Sequence, residues 1–172
     1  WLNRPEVRNA FNDGVIAALT EAFTRLNQDT ELRVVVLAGH GKAFCAGADL
    51  NWMRAMADYS WDENRADAGK LAQMLWTLDQ CPVPVIGRVH GDCYAGGMGL
   101  ALSCDLVIAR EGITFGTPEI NVGAFPYMIM AIIYRNVPRK KVNEMMLLGE
   151  RISAEQAVSY GLANKVVPAA EF

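Results

Sequence analysis

Three short segments concentrate the residue types that can do chemistry: Phe44-Cys45-Ala46-Gly47-Ala48-Asp49-Leu50, Tyr94-Ala95-Gly96-Gly97-Met98-Gly99-Leu100 and Gly116-Thr117-Pro118-Glu119-Ile120. In the first two, main-chain N–H groups stand beside side chains too small to cover them, in loops that read as opening helices. The first N–H groups of a helix have no partner within it, and the helix dipole adds partial positive charge there. A polarised oxygen can therefore rest against the Gly96 amide, and the Ala46 amide is the candidate second donor to the same oxygen. Two convergent donors in a dry pocket are the recurring oxyanion-hole design. The third segment adds a carboxylate. Glu119 follows Pro118, whose fixed φ directs the chain, and its neighbours Phe115, Ile120, Val122 and Phe125 are apolar, which favours the protonated form. Two backbone donors and one such acid suit the enolate that forms when a thioester loses its α-proton. Plainer readings stand beside these: glycines that only allow close packing, Asp49 as a helix cap, and Glu119 as a solvated loop residue.

Other chemistries fail on spacing. Gly39-His40-Gly41 lacks the third glycine of a dinucleotide fingerprint, because position 44 is Phe, and Gly41-Lys42-Ala43 lacks the Ser/Thr of a phosphate loop. No Gly-x-Ser-x-Gly exists, and His40 and His90 are the only histidines. Cys45, Cys81, Cys93 and Cys104 form no Cys-x-x-Cys pair and have no histidine at ligand spacing, which gives no metal site. They read as buried free thiols of a reducing compartment, the cytoplasm or, in a eukaryote, the mitochondrial matrix.

The elements that must position these residues come next. A chain of 172 residues, 52% hydrophobic and 20% charged, fits one α/β domain with a real core. A net charge of −3 gives no reason to expect nucleic acid or an anionic membrane as partner. Arg4, Arg8, Lys42 and Arg54 are the cations near the first segment. The longest apolar stretch, Val122–Tyr134, is short of the roughly 20 residues that span a bilayer and contains Pro126; no signal-peptide pattern is present. The chain opens on Trp1 and stops at Phe172, and both ends read as truncated.

Asn12 or Asp13 caps a helix with apolar positions Val15, Ile16, Leu19, Phe23 and Leu26. The run Arg33–Ala38 reads as a buried strand. A loop then leads into the first segment and a short helix carrying Leu50, Met53 and Met56. Leu71, Met74, Leu75 and Leu78 mark a long helix capped near Ser60 or Asp62, ended by Pro82 and Pro84. Strands follow at Val85–Val89, Asp105–Ala109 and Ile113–Phe115, with the glycine-rich segment opening a helix between the first two. Helices are expected over Tyr127–Asn136 and Arg139–Leu148, separated by Pro138, and a capping box at Ser153–Gln156 opens a last helix stopped at Gly161. Strands alternating with helices predict largely parallel pairing.

In order along the chain, Leu2-Asn3-Arg4-Pro5 with Asn9-Ala10, the Phe44–Leu50 segment, Gly96-Gly97 with Cys104-Asp105, Phe115-Gly116-x-Pro118-Glu119-Ile120, and Ala157-x-x-x-Gly161-Leu162 with Val166-Val167 resemble the crotonase superfamily, the enoyl-CoA hydratase/isomerase family. The Phe44–Met53 stretch and the Tyr59–Arg88 region look most like its methylglutaconyl-CoA hydratases. The resemblance implies a crotonase-like stack of β-β-α turns without the family's C-terminal helices, assembled as trimers or pairs of trimers. It implies an acyl-CoA substrate and no separate cofactor, coenzyme A being part of the substrate. By position, Ala46 and Gly96 would be the oxyanion-hole amides and Glu119 the catalytic acid/base. Val7, Arg8, Ala48, Asp49, Leu50, Gly97, Pro118 and Tyr127 would line the substrate channel.

One departure bears on mechanism. The two-glutamate hydratases of the family carry a first glutamate twenty positions before the second, and that position here is Gly99. Adding water across a double bond requires holding the water and delivering a proton, whereas moving a double bond needs one base. Hydration and isomerisation both stay open on the sequence, with Tyr127 and Asp105 as substitute acids. The rival of a different class is a non-catalytic acyl-CoA-binding or assembly subunit.

Overall fold

Eight strands fall into two sheets by a simple alternation. The computed structural model describes residues 1–172, with β1 (Val35–Ala38), β2 (Ala43–Cys45), β3 (Val85–Val89), β4 (Asp92–Tyr94), β5 (Leu106–Arg110), β6 (Thr114–Gly116), β7 (Arg151–Ser153) and β8 (Lys165–Val167). One sheet has the order β1-β3-β5-β8 and the other β2-β4-β6-β7. Every neighbouring pair is parallel except β6–β7. Seven helices join them: α1 (Asp13–Leu26), α2 (Leu50–Ala55), α3 (Trp61–Asp79), α4 (Gly96–Leu102), α5 (Tyr127–Asn136), α6 (Arg139–Leu148) and α7 (Ala154–Tyr160). A strand to the first sheet, a tight turn, a strand to the second sheet and a helix make one β-β-α turn, and the turns stack.

The helix signals in the sequence act as expected. Asn12 caps α1 by accepting from the Val15 N–H, capping boxes open α3 at Ser60 and α7 at Ser153, and Gly161 ends α7 with a left-handed φ of 83°. Leu71, Met74, Leu75 and Leu78 of α3 are buried, as are Phe44, Phe115, Met98, Leu100, Ile133 and Met146. They form one continuous core between the sheets and helices.

Two expectations need correction. The Arg33–Ala38 run is a strand only from Val35, and it is not buried on both faces, since Val36 is 51% exposed. The outer face of this sheet is only partly covered, since Leu106 on the inner strand β5 is likewise 41% exposed. The first segment, expected to follow directly from a loop, begins within β2, and the second begins at the last residue of β4. Each strand is three residues long, too short to display an alternation of period two.

Gly97, expected in the substrate channel, is also where α4 packs on β2. It is buried, and a Cβ there would lie 2.4 Å from the Cys45 carbonyl oxygen, so α4 can rest on β2 only without a side chain. Gly97→Ala should therefore lower stability by about 1–3 kcal/mol, read as a shift in the urea midpoint. An unchanged midpoint would mean that α4 does not depend on this contact.

Candidate active site

The three segments leave the same end of the same sheet. Cys45 is in register with Cys93, and Cys93 with Phe115, so β2, β4 and β6 run side by side and in the same direction. Neighbouring strands are about 4.8 Å apart, and the three chemically interesting loops begin where these strands end. Ligands of open α/β sheets bind beyond the carboxyl ends of the strands.

The β4–α4 turn is strained. Ala95 has φ 51° and ψ −128°, a conformation that non-glycine residues rarely hold, and its N–H donates to the Gly116 carbonyl at 2.9 Å. Gly96 is the first residue of α4, and its N–H donates to no main-chain acceptor. A Cβ at Gly96 would stand 2.3 Å from Phe11 Cζ, and one at Gly47 only 2.7 Å from the Ala95 Cβ and 3.3 Å from the Gly96 nitrogen. The bare Gly47, at φ 95°, thus lets the first loop close against the Gly96 amide.

The Ala46 amide is not the free donor that the sequence suggested. It already donates to the Arg8 carbonyl at 3.1 Å. Arg8 and Asn9 both hold left-handed backbone, with φ 55°, and Asn9 fixes the turn by donating to the His40 and Ala43 carbonyls. Two residues on, the situation reverses. Phe11 N–H donates to the Gly47 carbonyl and Asp49 N–H to the Phe11 carbonyl, both at 2.9 Å. In extended chain, successive residues direct their amides to opposite edges, so the Ala48 N–H points away from Phe11. It donates to no acceptor in the structure. Ala48 and Gly96 therefore both present unoccupied amides beside Gly47, whose own N–H also donates to no acceptor.

Asp49 is a structural residue. Its carboxylate caps α2 through the Asn51 N–H at 2.9 Å and pairs with Arg4 at 3.0 Å, and these hydrogen bonds hold its carboxyl below the usual range. Asp105 is likewise engaged, accepting from the Val85 N–H at 2.8 Å. Val7 and Pro118 are half-buried, while Arg8 and Leu50 are exposed near the first loop. Tyr127 opens α5 with 72% exposure and its ring 4.9 Å from that of Phe125.

Glu119 behaves differently from the other acids. Residues Pro118–Val122 form a 3-10 turn rather than an irregular loop, and within it the Glu119 Oε2 is buried without a hydrogen-bond partner. Burial pushes its carboxyl above the usual value, only partly offset by its own backbone N–H. A carboxyl raised on folding stabilises the fold below its unfolded pKa, and that contribution is lost as pH rises through the folded value. Glu119→Gln should therefore unfold at a higher temperature than the parent near pH 7, with the two melting curves converging in acid. A gap independent of pH would show that the carboxyl is solvated.

Gly99 has no side chain, and the space beside it is filled. A Cβ there would lie 2.4 Å from Cγ2 of Ile129, a buried residue of α5. A carboxylate cannot be accommodated at position 99 without displacing that isoleucine.

Over residues 1–172 the chain matches the enoyl-CoA hydratase/isomerase family. Among solved structures it is similar to an enoyl-CoA hydratase of Mycobacterium smegmatis, at 41% identity and a TM-score of 0.92, with 96% of this chain and 63% of that chain covered. Human enoyl coenzyme A hydratase domain-containing protein 3 is similar at 31% identity and a TM-score of 0.87, with 98% and 68% covered. The mitochondrial enoyl-CoA hydratase of Pongo abelii is 36% identical over 168 residues, which are 97% of this chain and 56% of that protein. The chain thus spans between about half and two thirds of the length of these relatives. No helix is long and apolar enough to cross a membrane.

Proposed function

The chain belongs to the enoyl-CoA hydratase/isomerase family, and from that premise we propose that it shifts a double bond in an acyl-CoA thioester, with Glu119 as its one acid/base. Its fold is the family's crotonase-like stack of β-β-α turns. In this reading the thioester oxygen lies between the amides of Ala48 and Gly96. The Glu119 carboxylate removes a proton from C2 of a 3-enoyl thioester. The C–H electron pair passes into the conjugated system and charge gathers on the thioester oxygen, where the two amides stabilise it. The same carboxyl returns the proton to C4, leaving a 2-enoyl thioester of unchanged mass. The coenzyme A moiety runs along Val7, Arg8 and Leu50. Assembly of three or six copies would cover the exposed Val122, Leu147 and Leu148 on neighbouring elements.

The observation that favours one-base chemistry over hydration is the contact between Gly99 and Ile129. Hydration asks for a second group to hold water, yet Asp105 is engaged with the Val85 N–H and Tyr127 is 72% exposed to solvent. Incubation with a 3-enoyl-CoA and with crotonyl-CoA tests the proposal, following conjugation by absorbance and products by mass. Conversion of the 3-enoyl thioester with no mass gain on crotonyl-CoA is the expected result. Addition of water to crotonyl-CoA would make the protein a hydratase. Binding of both thioesters without turnover would leave an acyl-CoA-binding subunit.

A further inference from the structure

The second sheet carries a polar chain that the proposed reaction does not use. The Asp92 Oδ1 accepts from both the N–H and the hydroxyl of Thr114, each at 2.9 Å. The Thr114 hydroxyl is in turn hydrogen-bonded to the Tyr94 hydroxyl. Arg151 of β7 covers the Tyr94 ring, with its guanidinium 5.0 Å from the ring centroid.

The position of this chain gives it meaning. Asp92 and Tyr94 are the first and last residues of β4, and Thr114 is the first of β6. β4 delivers the strained Ala95 and the Gly96 amide, and β6 delivers Glu119. Only two backbone pairings join these short strands, Cys93 with Phe115 and Tyr94 with Gly116, followed by the Ala95 N–H bond to Gly116. Ladders this short leave the strands free to slide and tilt. The side-chain bridge ties both end residues of β4, Asp92 and Tyr94, to Thr114 at the start of β6.

We propose that Thr114, with Asp92 and Tyr94, is a positioning residue that fixes the distance between the Gly96 amide and Glu119 and holds Ala95 in its strained turn. This rests on the proton-transfer reading above for its kinetic consequence, but not for its structural one. Thr114 touches none of the reacting groups. Its removal should degrade alignment in the transition state and leave substrate binding, made elsewhere, intact.

The test uses Thr114→Val, which keeps the volume and loses the hydroxyl, with Thr114→Ser as the rescue. Thr114→Val should lower kcat about 100-fold with KM within about threefold of the parent, the size expected of a small misplacement of reacting groups. Thr114→Ser should restore kcat. Independently of turnover, amide hydrogen exchange by NMR should show the Ala95 N–H exchanging about tenfold faster in Thr114→Val, with β3 and β5 amides unchanged. If Thr114→Val does not fold, Tyr94→Phe carries the same two readouts, since it keeps the ring against Arg151. Parental kcat together with parental Ala95 exchange overturns the proposal, whatever the melting temperature does. Should the parent turn over no acyl-CoA, the proton-transfer reading fails, and the Ala95 exchange rate still decides whether the bridge holds the turn.

Discussion

Glu119→Gln should abolish turnover, by at least about 10³-fold, while acyl-CoA binding measured by calorimetry stays near that of the parent. The substitution preserves shape and removes only the capacity to accept and return a proton. Because Oε2 has no hydrogen-bond partner in the structure, the amide forfeits no native contact there. It also removes a carboxyl whose ionised form is disfavoured by burial, so the fold is not weakened at neutral pH. A fall in rate is then a loss of chemistry rather than of protein. The raised carboxyl carries a second signature. Since the base must be ionised to take the first proton, kcat/KM of the parent should fall as pH drops through that elevated value, above the range of an ordinary glutamate. Turnover by Glu119→Gln at the parental rate would remove this residue from the mechanism altogether.

The sequence marks a carboxyl such as Glu119 readily and its surroundings poorly, and the reason is range. Pro118-Glu119 with apolar flanks, the Ser60 and Ser153 capping boxes and the α3 apolar stripe are local signals, read within one or two turns of chain. What fills the space beside Gly99 is decided by Ile129, on another helix. The strands β2, β4 and β7 have three residues each and gain their identity from neighbours, not from their own pattern. The orientation of a main-chain amide is hidden in the same way. Small side chains across Cys45–Ala48 show that a donor can be approached, but they do not tell which amide is free. That is settled by the Arg8 carbonyl, presented from a left-handed turn that Arg8 and Asn9 form without any glycine to announce it.

Ala48→Pro and Ala46→Pro separate the two candidate donors, and the first should lower kcat by about 10²–10³, as loss of one oxyanion donor does. Proline removes an N–H. At Ala48 that group donates to nothing in the structure, and Ala48 is not among the residues with positive φ, so proline forfeits no hydrogen bond and meets no left-handed backbone there. The conflict that proline imposes on its predecessor falls on Gly47, which lacks the Cβ that would suffer most. The unfolding midpoint of Ala48→Pro should accordingly remain close to that of the parent. At Ala46 the same change breaks the bond to Arg8, costing about 1 kcal/mol of stability, and removes no free donor. The folded fraction of Ala46→Pro should keep most of its turnover. The reverse pattern, an inert Ala46→Pro beside an active Ala48→Pro, would mean that the substrate displaces the Arg8 carbonyl and takes the Ala46 amide for itself. Stability and rate should thus move on different variants, because the Ala46 amide holds the loop together while the Ala48 amide, which donates to nothing, is the one that the proposed reaction assigns to the thioester oxygen.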